Sequence, residues 1–93
     1  MDPILFRAPI RHWNPEKQSG LAVADFPAEH VAALGGLRQQ RAHGLIGGVT
    51  FTSNVMPAGG GRLALSVSRA MMASAGVAIG DEVDLEITRV GQD

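Results

Sequence analysis

From residue 4 to residue 11 the chain alternates, with Ile4, Phe6, Ala8 and Ile10 on one side and Leu5, Arg7, Pro9 and Arg11 on the other. A period of two over this length predicts a β-strand. Pro9 has no amide hydrogen to donate, which predicts that one side of the strand is unpaired there. His12 to Ser19 is polar and contains Asn14-Pro15, a loop signal, and Gly20 to Phe26 reads as a short apolar strand. Pro27 stands where helices favour proline, ahead of Ala28 to Leu34. Gly35-Gly36 would stop that helix after about two turns, too short to persist without packing.

Arg38 to Ile46 and Val49 to Met56 predict two strands joined by Gly47-Gly48. Both glycines can take positive φ at little cost, so the pair predicts a tight hairpin. The turn then dictates the register: Ile46 faces Val49, Gly44 faces Phe51 and Ala42 faces Ser53, while Leu45 meets Thr50, His43 meets Thr52 and Arg41 meets Asn54. One face of the hairpin is therefore apolar and the other polar, and the Phe51 ring can cover the glycine across from it.

Pro57 to Gly61 reads as a flexible loop, and Arg62 to Val67 as a strand with Leu63, Leu65 and Val67 inward. Ser68 is placed to cap a short helix that Gly76 ends. Gly80-Asp81 makes a turn in which the aspartate can bond the backbone, and Asp81 to Val90 is a last strand with Val83, Leu85 and Ile87 on one face. The whole pattern predicts a mainly all-β chain: one domain over residues 1–93, a closed or nearly closed six-stranded β-barrel with two short helices.

Composition narrows the chemistry. The chain has no cysteine, which removes thiolate nucleophiles, disulfides and zinc–thiolate sites together. Net charge is −1, which argues against a large basic nucleic-acid surface. No stretch has the apolar length of a membrane span, and the start Met1-Asp2-Pro3 lacks a signal-peptide pattern. The expectation is a cytoplasmic protein.

The order Phe6, Asp25-Phe26-Pro27, Leu34-Gly35, Gly47-Gly48, Phe51-Thr52-Ser53, Pro57, Gly59-Gly60-Gly61, Leu65-Ser66-Val67, Arg69 and Gly76-Val77-Ala78-Ile79-Gly80-Asp81 resembles the family called domain of unknown function 1905. The likeness spans nearly the whole chain and implies a small bacterial barrel of unassigned role. Some members are fused to a second domain linked by name to bacteriocin protection or to an outer-membrane-protein association; these 93 residues are read as the barrel alone. Members often carry an aromatic just before the strand that ends in Phe26-Pro27, where Leu21 or Ala22 stands here. The resemblance transfers no catalytic residue.

The polar hairpin face offers the main candidate site. Arg41, His43, Thr52 and Asn54, with Arg62, could bind a carboxylate or phosphate through a guanidinium and neighbouring hydrogen-bonding groups; otherwise the same face is ordinary solvated sheet. His12 and Trp13 sit in the first loop, which could flank a pocket mouth; a lone tryptophan there reads first as core or rim packing. His12, His30 and His43 lie on separate elements, so no metal site is expected, and no cofactor. No Gly-x-Ser-x-Gly elbow occurs, and adjacent Asp81 and Glu82 would point to opposite faces of a strand, a poor acid–base pair. Ala58 to Arg62 could cradle an anion, but it opens no helix and reads as a hairpin loop.

The functional expectation is a non-enzymatic binding or interaction module for a small anionic ligand or peptide. One alternative is a dimeric DNA-binding regulator of the swapped-hairpin kind, using Arg7, Arg11, Arg38 and Arg41. The other is a role in bacteriocin protection, as in the fused relatives. A homodimer through the strand edge at Pro9 is a further possibility.

Overall fold

The structure, a computed structural model, describes residues 3–14, 21–32, 34 and 36–91, with Arg89 as backbone alone. Six strands form a closed antiparallel barrel: β1 (Ile4–His12), β2 (Ala22–Asp25), β3 (Gln40–Ile46), β4 (Val49–Gly59), β5 (Arg62–Val67) and β6 (Glu82–Gly91), in the order β1-β2-β5-β4-β3-β6. Helix α1 (Arg69–Ala75) joins β5 to β6, and a 3-10 turn (Ala28–His30) follows β2. Among the described residues no helix is long and apolar enough to cross a membrane.

Alternation fills the interior. Ile4, Ala8 and Ile10 from β1, Leu63, Leu65 and Val67 from β5, and Val83, Leu85 and Ile87 from β6 are all buried in one cluster. Burying a side chain of the Val, Leu or Ile kind is worth about 1.5–3 kcal/mol, so this lining holds the wall together.

The β3–β4 register is the one that the Gly47-Gly48 turn dictates, from Ile46↔Val49 through Gly44↔Phe51 to Gln40↔Val55. Both turn glycines have positive φ, 53° and 83°. Gly44 answers to a second constraint besides the Phe51 ring: a Cβ there would lie 1.8 Å from the Glu86 carbonyl oxygen. β3 and β6 approach that closely where their register shifts between His43 and Gly44. Thr88 is the extra residue of this bulge, and its hydroxyl donates to the His43 carbonyl at 3.0 Å.

Pro9 sits where one ladder gives way to another. Residues Ile4–Pro9 pair with β6, and Ile10–His12 pair with β2. The Ile10 amide donates to the Asp81 carbonyl, and the Ile10 carbonyl accepts from Gly80. Backbone groups alternate sides along a strand, so Pro9 turns its nitrogen toward β2, just past the last pair Ile10↔Ala24. The unpaired side is real but local, and the barrel closes around it.

Three expectations need correction. Only one α-helix forms among the described residues. After Pro27 the chain makes a 3-10 turn, with His30 donating to Pro27, Val31 to Ala28, and Leu34 to both His30 and Val31. So short a segment gains too few bonds to offset helix nucleation, and it seats Leu34, 1% exposed, in the core. Second, Pro57 to Gly61, expected as a flexible loop, is mostly strand: β4 runs on to Gly59, and Gly60-Gly61, both at positive φ, turn straight into β5. Third, Arg38 and Gln39 precede β3, which begins at Gln40. Gly20 and Gly35, assigned to elements above, lie outside the described residues.

The two ends of the barrel close differently. At one end α1 buries Met71 and packs Met72 and Ala75 against the core. The Ser68 hydroxyl accepts from the Met71 amide at 3.1 Å, and Gly76 ends the helix in the left-handed region. The Asp81 carboxylate then accepts from the Ala78 amide at 2.9 Å, fixing the following turn. At the other end Phe26 and Leu34 close the interior, with the Phe6 and Phe26 rings 5.0 Å apart.

Candidate functional site

The end closed by Leu34 is built from the start of β3, the far half of β4 and the last residues of β6. Along β3 the inward positions are Gln40, Ala42, Gly44 and Ile46, so the outward positions carry Arg41 and His43. Arg41 lies between Asn54 on β4 and Gly91 on β6. Two open depressions of about 330 and 310 Å³ meet here. Gln39, Gln40, Arg41 and Asn54 line the first; Arg38, Gln39, Gln40 and Gly91 line the second.

The electrostatics of this end are one-sided. No carboxylate is among the described residues lining either depression. Arg38 and Arg41 are exposed, and neither makes an ion pair with a described residue. The remaining polar groups are amides, which can both donate and accept.

Two arginines elsewhere, Arg11 and Arg7, are engaged. Arg11 holds Asp25 with two bonds, Nε to Oδ2 at 2.6 Å and Nη2 to Oδ1 at 2.9 Å. Its Nη1 donates to the carbonyls of His12 and Trp13. Hydrogen bonding from Arg11 keeps the Asp25 carboxyl below the ordinary carboxylate range; burial opposes this, while the charges of Arg11 and Arg62 add to it. Arg7 bridges Glu82 and Asp84 on β6. Of the four arginines that a DNA-binding face would draw on, two are therefore held by carboxylates.

The five residues singled out in the sequence divide accordingly. Arg41 and Asn54 lie opposite each other at the first depression. His43 and Thr52 also lie opposite each other, with Thr52 Oγ1 and His43 Nδ1 3.2 Å apart, but they sit farther along the wall. Arg62 stands at the β4–β5 turn opposite Gly59, where its charge acts on Asp25. Arg38, Gln39, Gln40 and Gly91 complete the lining and were not among the five. The run Arg38-Gln39-Gln40-Arg41 was the available signal, two cations around two amides at a strand start.

The imidazoles remain apart, and no group of three or more potential metal ligands occurs among the described residues. Trp13 donates its amide to the Leu21 carbonyl at 2.8 Å, closing the β1–β2 hairpin, and the residue is 37% exposed. His12 Nδ1 is buried with no hydrogen-bond partner among the described residues.

A family model, Domain of unknown function (DUF1905), matches residues 6–87 and so takes in every strand of the barrel at least in part. The chain belongs to the DUF1905 family. No curated protein matches it. Within this DUF1905 barrel the matched region covers β3, β4 and most of β6, so all lining residues except Gly91 fall inside it.

Proposed function

We propose that the protein is a non-enzymatic binding module that takes a small anionic ligand at the end of the barrel closed by Leu34. The observation that carries this reading is the pair of cations, Arg38 and Arg41, exposed on adjoining depressions that no described carboxylate lines. Guanidinium groups match carboxylate and phosphate oxygens in shape as well as charge. Depressions near 330 Å³ are at the small end of ligand-site sizes. Arginine and amide side chains hold and orient a ligand. None of the described lining groups is an activated nucleophile or a general base tuned to neutral pH, which supports binding over catalysis.

The test is thermal unfolding with and without inorganic phosphate, succinate and L-malate, on the unaltered protein and on an Arg38→Ala/Arg41→Ala variant. At about 100 times Kd a ligand adds about 2.7 kcal/mol. That raises Tm by more than about 10 °C in a domain of this size. The expected result is a rise with at least one anion that disappears in the variant. A flat response to all three, or a rise that survives loss of both arginines, would refute the assignment.

A further inference from the structure

Gln40 is the one buried polar or charged residue among those described, at 7% exposure. It takes an inward position on β3, opposite Val55, and it lines both depressions. Its Nε2 donates to the Leu34 carbonyl oxygen. A carbonyl can only accept, so this bond fixes which way the amide points and leaves Oε1 as the free end. Oε1 receives no hydrogen bond from any described residue, yet it is not sealed from solvent. Gln40 is shared by the two depressions, one lined by Arg41 and the other by Arg38, and Oε1 is the end of its amide left without a described partner there.

An acceptor in such a position favours an occupant that can donate to it. Leaving it dry costs the desolvation of the oxygen, while a matching donor recovers that loss. The rim asks for negative charge and the floor asks for a donor.

Building on the anion-binding reading above, we propose that the ligand is a small anion bearing a hydroxyl or amine next to its charged group. The carboxylate or phosphate lies against Arg38 and Arg41, and the hydroxyl or amine donates to Gln40 Oε1. Gln40 is then the specificity residue of the site. It also couples the site to the fold, because the same amide that reads the ligand holds Leu34 in the core.

Matched pairs of anions that differ by one hydroxyl test this on the full chain by isothermal titration calorimetry: L-malate against succinate, and glycerol 3-phosphate against n-propyl phosphate. The pair that binds tells carboxylate from phosphate. Within that pair the hydroxylated member is expected to bind about 10-fold more tightly, and Gln40→Leu to erase the difference. Gln40→Leu also removes the bond to Leu34 and could unsettle the fold, so the comparison on the unaltered protein decides the matter. Equal, arginine-dependent affinity for both members of a pair would overturn the inference and leave anion binding standing. Absence of binding by all four would overturn both.

Discussion

The two ends of this barrel solve the same packing problem by different means. At one end α1 carries its own hydrogen bonds and both of its caps, Ser68 before it and Gly76 after it. Its closure is local in sequence, within residues 68–81. At the other end a three-residue turn has no side-chain cap, and the chain beyond it is held by Leu34 in the core and by one amide from another strand, Gln40. At the first end the helix termini are capped within the same stretch of chain. The second leaves two arginines and an amide oxygen facing outward, and an end finished in this way is suited to a ligand.

The largest effect that this contrast implies is on stability. Leu34→Ala should cost about 3 kcal/mol, as a buried leucine does when its cavity cannot collapse. Ser68→Ala should cost about 1 kcal/mol, the usual price of an N-cap. Urea unfolding of the two variants measures both. A larger loss at Ser68 than at Leu34 would invert the comparison and make the helix end the critical closure.

A smaller effect concerns Asp25, which ends β2 just before the chain enters the Leu34 end. Its folded-state pKa is depressed by Arg11, so its contribution is present at neutral pH and is lost as pH falls through that lowered value, below the ordinary 3.8. The pair is partly exposed, and after allowance for screening by solvent Asp25→Asn should cost about 1 kcal/mol at neutral pH. The difference from the unaltered protein should shrink as pH falls from neutral through that lowered value. A difference that stays constant across that range would mean that Asp25 acts by packing and not by charge.

The helix end was legible in the sequence because its signals are local: a serine, an apolar run and a glycine at fixed offsets. The β3–β4 register was equally legible, since Gly47-Gly48 leaves a tight hairpin little freedom and period-two alternation does the rest. The distant pairings of β1 and β5 were not. Those pairings join strands far apart in the chain, β1 with β6 and β2 with β5, and no short motif encodes them. Arg62 was grouped with Arg41 for that reason, although it stands at the β4–β5 turn and its charge acts on Asp25. The bulge at Thr88 was hidden in the same way, because it depends on where β6 meets β3. Gln40 could have been found: if Arg41 and His43 face outward, Gln40 must face inward, and a polar residue at an inward position calls for a partner. Ala28 to Leu34 carried a helix-like composition, but the need to seat Leu34 in the core overrode it.

The most direct test of the account is to titrate the isotopically labelled protein with inorganic phosphate, and with L-malate, and follow backbone amide shifts by NMR. The account predicts saturable changes at Arg38 to Arg41, Asn54 and Gly91 with at least one of the two, while the amides of α1 and of Gly80-Asp81 stay still. Saturable changes centred on α1, or none at the start of β3 with either anion, would contradict it.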